Sequence, residues 1–501
     1  MRADVAQDQG VVRSAVMIAG FKQYPATKDS GIEWLGDVPA HWDVRRLGQI
    51  GTLLKGRGGS KEDEVDEGIP CVRYGDLYTT HTWAITETRS RLAPTKAGEY
   101  TSIRFGDVLF AASGETTDEI GKSAVNLIHS RACCGGDIIL FRARLQLDPR
   151  FMGYAADCRA AAAQKASMGR GFTVVHIYPH QIKRIALALP PLPEQSAIAR
   201  FLDHATSHIE RYIRAKEKLV TLLEEQKQVL VHDAITGRID VRTGKPYPAY
   251  KPSGVEWLGD VPAHWDVRRL RNVGKALIGL TYGPGDVVDR GEGLLVFRAS
   301  NIRGGKIIDA DNVYVRCQAP ERLLTREGDI LICSRSGSRA LVGKNAMIDA
   351  RRAGVTFGAF MTVFRSASNQ FLRFVFNSAL FERQSGAFLT STINQLTLSM
   401  LYSIRVPFPP SGEQSTIIRY LDDAIVKIDR AINQKNQEID LLREYRTRLI
   451  ADVVTGKLDV RDATPKQPGL NSVSAGCANE TVQAKFNPRL PDDALGKEAY
   501  P

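Results

Sequence analysis

Ser30-Gly-Ile-Glu-Trp-Leu-Gly-Asp-Val-Pro-Ala-His-Trp-Asp-Val-Arg-Arg-Leu47 recurs as Ser253 to Leu270 with one change, Ile32 to Val255, and the fifteen residues Glu33 to Leu47 are identical to Glu256 to Leu270. The offset is 223 residues, far beyond the roughly 20–50-residue period of solenoids and propellers. Each copy is long enough to hold a core of its own, so the chain reads as a tandem duplication of two large units.

The duplication extends outward from this stretch. Gly106-Asp-Val-Leu-Phe110 with Gly121-Lys122 matches Gly328-Asp-Ile-Leu-Ile332 with Gly343-Lys344. Pro191-Leu-Pro-Glu-Gln195 matches Pro409-Pro-Ser-Gly-Glu-Gln414, and Thr236-Gly-Arg-Ile-Asp-Val-Arg242 matches Thr455-Gly-Lys-Leu-Asp-Val-Arg461. Gly-Asp before alternating apolar residues reads as a tight turn entering a buried strand. Both units share a beginning, a middle and an end.

Between Glu194 and Ile235 there is no Gly or Pro. Apolar residues fall at Ile198, Leu202, Ala205, Ile209, Tyr212, Leu219, Leu223 and Leu230, with Lys216 and Gln226 completing a 4-3 spacing. This predicts a long helix with a coiled-coil seam. The second copy repeats it through Ile417, Leu421, Ala424, Ile428, Ala431, Lys435, Glu438, Leu442, Tyr445 and Leu449, and both runs stop at Thr-Gly. At 1.5 Å per residue, some 40 residues make a rod of roughly 60 Å. Neither rod can hide its apolar stripe alone. Packing on each other is the simplest solution, and a pseudo-two-fold between the repeats makes them antiparallel, with a globular part at each end. The alternative is that each helix folds back on its own domain.

The globular parts, about 32–190 and 255–409, read as α+β. Strands are expected at Ile69 to Tyr74, Asp107 to Ala111, Asp137 to Arg142, Leu294 to Arg298, Asp329 to Cys333 and Ala359 to Phe364, and helix at Pro149 to Ala166 and Asn369 to Phe388. The expected fold is two pseudo-repeated α+β domains separated by two long antiparallel coiled-coil helices. Its divisions are a tail at 1–23, a domain at 24–190, a helical segment at 191–243, a domain at 244–409, a second helical segment at 410–461 and a tail at 462–501 that is Pro-, Gly-, Ser-, Asn- and Ala-rich, lacks periodicity and is expected to be disordered.

Composition narrows the function. Sixty-seven Lys and Arg against 56 Asp and Glu leave +11, which favours an anionic partner such as nucleic acid. The seven cysteines (Cys71, Cys133, Cys134, Cys158, Cys317, Cys333 and Cys477) are odd in number and include no CxxC pair. That argues against a disulfide framework or a structural zinc site and fits a reducing cytoplasm. No run approaches 18 apolar residues and the N-terminal region has no signal-like segment, so neither secretion nor a membrane span is expected. Catalytic motifs are missing as well. Gly121-Lys122-Ser123 would need Gly at position 116 to complete a phosphate loop, where Thr116 stands. There is no His-Glu-x-x-His, no Gly-x-Ser-x-Gly, no Gly-x-Gly-x-x-Gly after a strand, and no Asn- or Asp-Pro-Pro-aromatic segment of the kind that grips a flipped base.

The duplicated Ser-Gly-[Ile/Val]-Glu-Trp-Leu-Gly-Asp-Val-Pro-x-His-Trp opening, the Gly-Asp-[Val/Ile]-Leu segment and the Pro-rich Glu-Gln entry into a heptad helix together resemble the specificity subunit of Type I restriction-modification systems, over residues 24–461. The resemblance implies a non-catalytic DNA-recognition subunit of a phage-defence complex. It implies two target-recognition domains held apart by the helix pair, two docked methyltransferase subunits, and restriction subunits that join them. This chain would bind no cofactor or metal itself; S-adenosylmethionine, ATP and magnesium would belong to those partners.

The residues agree on one point independently. The frames are near-identical, while the stretches between them, such as Arg57 to Ala111 and Asp286 to Ile332, differ extensively. A symmetric protein dimer reads a palindrome. A pseudo-symmetric chain with two different readers is expected to read an asymmetric, bipartite site on double-stranded DNA, its half-site centres about 34 Å apart if both domains use one face of the duplex.

Readers must come from the variable parts. Arg suits guanine, Asn or Gln suits adenine, Ser and Thr are less selective, and Lys or Arg on phosphates fixes register. In the first domain the candidates are Lys55 and Arg57 in a glycine-rich stretch, Arg73 and Tyr74 at a strand end, and Arg170 and Thr173. In the second they are Arg298, Ser300 and Asn301, then Arg335, Ser336 and Arg339, then Thr392 and Asn394. Trp34, Trp42, Trp257 and Trp265, with His41 and His264, repeat identically beside different readers, so packing of the frame or docking of a partner explains them better than base stacking. Two rival classes remain: a fused nuclease or methyltransferase with a dispersed site, and a coiled-coil adaptor with no DNA role.

Overall fold

Two helices, Leu192–Thr236 and Ser411–Val454, organise the molecule. The computed structural model describes residues 22–59, 61–171, 174–387 and 394–463; of the expected tails, only Lys22, Gln23, Asp462 and Ala463 lie within them. Each helix follows a proline, Pro191 or Pro410, whose missing N–H is no loss at a helix start. Each ends at Thr-Gly with the glycine left-handed, Gly237 at φ 73° and Gly456 at φ 75°, a conformation that costs a side-chain-bearing residue about 1 kcal/mol or more.

The helices pack on each other and run antiparallel. Glu210 pairs with Arg446, Lys216 with Glu438 and Lys227 with Asp429, so position rises along one helix as it falls along the other. At 1.5 Å per residue the 45-residue first helix is about 67 Å long.

The seam differs from the sequence expectation in one column. Ile198, Leu202 and Ile209 are buried, Leu223 and Leu230 half-buried, and in the second helix Ile417, Leu421 and Leu449 are buried with Ile428 and Leu442 half-buried. Leu219, expected in the seam, faces outward at 41% exposure, as does Tyr212 at 62%. The alternate seam positions are instead Thr206, Ile213, Val220 and Lys227, mirrored by Ile425, Ile432, Ile439 and Arg446. Both columns carry apolar residues at 4-3 spacing. The facing helix selects the one whose β-branched side chains sit flush, with the long stems of Lys227 and Arg446 lying along the seam under their ion-paired heads.

Each domain holds two larger sheets beside short two-stranded pairings. In the first domain one sheet runs, in order, Gly51–Lys55, Ile138–Ala143, Val108–Ala111, Ser123–Asn126 and Ala84–Ile85, and the other Ser90–Leu92, Glu64–Val72, Ala132–Cys134 and Thr101–Ile103. The second domain repeats the first sheet as Lys275–Ile278, Met361–Arg365, Ile330–Cys333 and Asn345–Met347, beside a sheet of Val287–Val288, Val313–Val315, Leu294–Phe297 and Thr356–Phe357. Val108–Ala111 and Ile330–Cys333 are buried at every residue, which is why they read as unbroken apolar runs after Gly-Asp. Their leading aspartates close the turn, Asp107 accepting from Arg104 N at 2.7 Å and Asp329 from Arg326 N at 2.8 Å, and each also holds an arginine of the neighbouring strand, Arg142 or Arg365, at 2.6 Å.

The expected helix from Pro149 is two, Pro149–Asp157 and Arg159–Met168, separated where Cys158 turns extended. The one expected from Asn369 is likewise Asn369–Phe376 and Ala379–Ala387, with Phe388 outside the described residues. These pairs tie the domains to the rods. Tyr154 donates to Asp203 at 2.9 Å, and Arg373 reaches Asp422 at 2.5 Å.

The duplicated opening stretch closes the ring of contacts. Glu194, at the start of the first long helix, accepts from Tyr24 at 2.7 Å and Trp42 at 3.2 Å, and lies 2.9 Å from His41 Nε2. Glu413 is held likewise by Tyr247 and by His264 at 2.8 Å. Burial and the adjacent carboxylates push the Tyr24 and Tyr247 phenols far up, keeping both as donors. Against each node sits the Thr-Gly tail of the other repeat. A Cβ on Gly456 would lie 2.2 Å from Pro39, and one on Gly237 2.4 Å from Pro262. The end of the second helix, through Leu449, Val453, Val454 and Val460, belongs to the first domain's core, and Val231, Ala234 and Ile235 belong to the second's. Trp42 and Trp265 are fully buried there, whereas Trp34 and Trp257 are half-exposed. None of the described helices is long and apolar enough to cross a membrane.

Candidate nucleic-acid interface

The loops at one end of the paired sheets carry the candidate readers. In both domains an arginine leaves the strand of the second sheet and its backbone N–H is capped three residues on. Arg73 N donates to Asp76 at 2.9 Å, and Arg298 N to Asn301 at 2.8 Å. Such local side-chain-to-backbone bonds fix a turn in place of secondary structure.

That geometry removes Asn301 from the readers. It is fully buried, and its amide donates to the Ala310 carbonyl at 2.8 Å and to Asn312 at 2.9 Å. The residue types that read bases also cap turns, and here the cap wins. Arg73 is largely covered too, paired with Glu64 at 2.5 Å and donating to the Gly59 carbonyl at 3.0 Å, so it braces the glycine-rich loop from behind. Lys55 and Arg57 are exposed, at the end of an edge strand and just past it, and Tyr74 and Arg170 are exposed as well. Arg170 is joined to His176 by backbone bonds of 3.1 and 2.8 Å. Thr173 lies outside the described residues, as does Thr392.

In the second domain the structure brings Arg298, Ser300, Arg335, Ser336 and Asn394 to one open concavity of about 1050 Å³. Five chain segments meet there, at the junction of the two larger sheets. Leu280 N donates to the Phe357 carbonyl at 2.7 Å, Ser334 N and Arg335 N to the Phe360 carbonyl at 2.9 and 3.1 Å, and Ser336 N to the Asn394 carbonyl at 3.3 Å. Among the described residues the lining holds two arginines and no carboxylate, together with Tyr282, Phe360 and Gln395, which sequence reasoning missed. Arg339 stands apart, exposed, donating to the Gly386 carbonyl at 3.3 Å.

The first domain builds the same place differently. Gly56 to Gly59 and Gly135-Gly136 pack backbone to backbone, Gly136 N donating to the Gly58 carbonyl at 2.7 Å. A Cβ at Gly56 would lie 2.0 Å from the Gly135 carbonyl oxygen. Ser113, at the place of Arg335, bonds His176 at 3.0 Å. Among the described residues no cluster of His, Cys, Asp and Glu has the arrangement of a metal site.

The family profile described as the Type I restriction modification DNA specificity domain matches residues 39–219 and 317–441, more than half of the chain. The chain is 21% identical over 449 residues to the Type I restriction enzyme EcoKI specificity subunit of Escherichia coli, covering 84% of this chain and 90% of that one. It is 22% identical over 447 residues to the Type I restriction enzyme MjaVIII specificity subunit of Methanocaldococcus jannaschii, covering 85% and 95%. In fold it resembles a chain solved in work on complex assembly and conformational transition of the type I R-M system, with TM-score 0.65 and 20% identity over 84% of this chain and 99% of that one.

Proposed function

The chain belongs to the Type I restriction-modification DNA specificity family, and from that premise we propose that each of its two domains reads one half of an asymmetric, bipartite DNA site. The frames that hold the loops repeat, down to the Glu194 and Glu413 nodes, whereas the loops themselves do not: Arg335 stands where Ser113 stands, and Phe360 where Asp137 stands. That contrast carries the reading. Equal frames give both domains the same approach to a duplex, and unequal loops give each a different base preference.

The helix pair sets the distance between half-sites and offers its outer faces to two methyltransferase subunits, with restriction subunits joining the assembly. Tyr212, Leu219, Leu222, Val229, Val426 and Leu441 are exposed along the helix pair and supply apolar side chains for such docking. The chain itself is non-catalytic and acts in the cytoplasm; S-adenosylmethionine, ATP and magnesium are handled by the partners.

The test is the methylation motif of DNA from cells expressing a Type I methyltransferase subunit with and without this chain. Methylation at a two-part asymmetric motif only when the chain is present supports the proposal. Cleavage by the purified chain with a divalent metal, or methylation independent of it, contradicts the proposal.

A further inference from the structure

Arg335 differs from its neighbours in how its guanidinium is used. Arg298 Nη2 donates to the Asp311 carbonyl at 2.9 Å, and Arg339 is turned toward Gly386. Arg335 is exposed at the concavity and pairs with no carboxylate among the described residues; its guanidinium lies over the Phe360 ring, 5.5 Å from the centroid. Phe360 is 60% exposed, an unusual placement for a phenylalanine, yet its backbone is fixed. Its carbonyl accepts from Ser334 N, Arg335 N and Ser334 Oγ, at 2.9, 3.1 and 3.0 Å. The ring therefore stands as a platform on an anchored backbone, and Arg335's own backbone is bridged to Gln395.

Resting on the two-reader proposal above, we infer that Arg335 reads a guanine in the half-site of the second domain, with Phe360 as the positioning residue that holds its fork. The planar guanidinium fork matches guanine O6 and N7 in the major groove, and its attraction to the exposed ring face keeps it at the mouth of the concavity. Placement over the ring before binding also lowers the rotamer entropy lost on binding. A residue serving only as a phosphate contact needs neither the platform nor the planar fork. The first domain has Ser113 bonded to His176 at this place, so the assignment applies to one half-site only.

The experiment uses the full chain assembled with a methyltransferase subunit, and duplexes carrying the wild-type motif with each base pair replaced in turn. Arg335→Ala is expected to lose roughly ten- to hundredfold discrimination at one G·C pair of one half-site, leaving the other half unchanged. Arg335→Lys, which keeps the charge, is expected to relax the same position, and Phe360→Ala to relax it less. A uniform loss across all sequences with a shallower salt dependence, rescued by Arg335→Lys, would make Arg335 a phosphate contact and overturn the assignment. So would an unchanged motif in both Arg335 variants. If the wild-type complex has no two-part motif at all, the two-reader proposal itself falls; a two-part motif that ignores Arg335 removes the guanine assignment alone.

Discussion

Lys227 of the first long helix holds Asp429 of the second at 2.8 Å, and the pair has a twin. Arg446 stands 219 residues after Lys227, Asp429 stands 219 after Glu210, and Arg446 pairs with Glu210. One pseudo-two-fold axis relates the two ion pairs across the middle of the rods, close to where Lys216 and Lys435 converge on Glu438 and hold its carboxyl down to about 2.

The seam register gives the first prediction. Ile213 is buried between the helices and Leu219 is not. Ile213→Ala should cost about 2–4 kcal/mol in denaturant unfolding, and Leu219→Ala under about 0.5 kcal/mol. The reverse order would restore the register read from sequence. Breaking Lys227–Asp429 alone, a partly exposed pair, should cost about 1 kcal/mol or less.

The second concerns the contact that closes the two repeats on each other. Gly456→Ala must accept both a left-handed backbone and a Cβ 2.2 Å from Pro39, whereas Gly36, also left-handed at φ 62°, has nothing within 4 Å. Thermal unfolding should place Gly36→Ala about 1 kcal/mol below wild type and Gly456→Ala at least about twice as far below. Equal effects would mean that the helix tail does not press on the opening stretch.

A third prediction follows from Lys165, which is fully buried, donates to the Gly121 and Ala156 carbonyls at 2.8 and 3.0 Å, and is pushed by burial down to about 8. The unfolded chain keeps this lysine protonated until about pH 10.5. Between those values the unfolded state binds more protons, so stability rises as pH climbs through the window and the full cost is present below pH 8. Relative to Lys165→Met, wild type should gain on the order of 3 kcal/mol from pH 8 to 10.5. A flat difference would show that the amine is solvated.

How much of this was legible beforehand depended on what each signal encodes. The long helices were readable because a Gly- and Pro-free run and a Thr-Gly stop act locally. Their seam was not, since Tyr212 with Leu219 and Ile213 with Val220 satisfy the same spacing and only the facing helix decides between them. Arg335, Ser300 and Asn394 stand out by residue type and the structure places them in one concavity, whereas Asn301 stands out by the same signal and is buried as a turn cap, because a cap and an adenine reader use the same amide. Phe360, Tyr282 and Gln395 carried no signal in sequence, because the concavity exists only where loops from two sheets meet.

A fourth prediction concerns the rods. Deleting Ile213 to Leu219 together with Ile432 to Glu438 removes one heptad from each helix and keeps the seam in register. The rods shorten by about 10 Å, so the unspecified spacer should shrink by about three base pairs at 3.4 Å each, with both half-sequences kept. Sequencing of methylated DNA reads the spacer directly, and an altered half-sequence would contradict a purely spacing role.

Whether each domain owns one half of the site is read by exchanging residues 48–190 for the corresponding domain of another specificity subunit and sequencing the methylated motif. A new sequence is expected in one half, with the other half and the spacer unchanged. A change in both halves, or in neither, would contradict it.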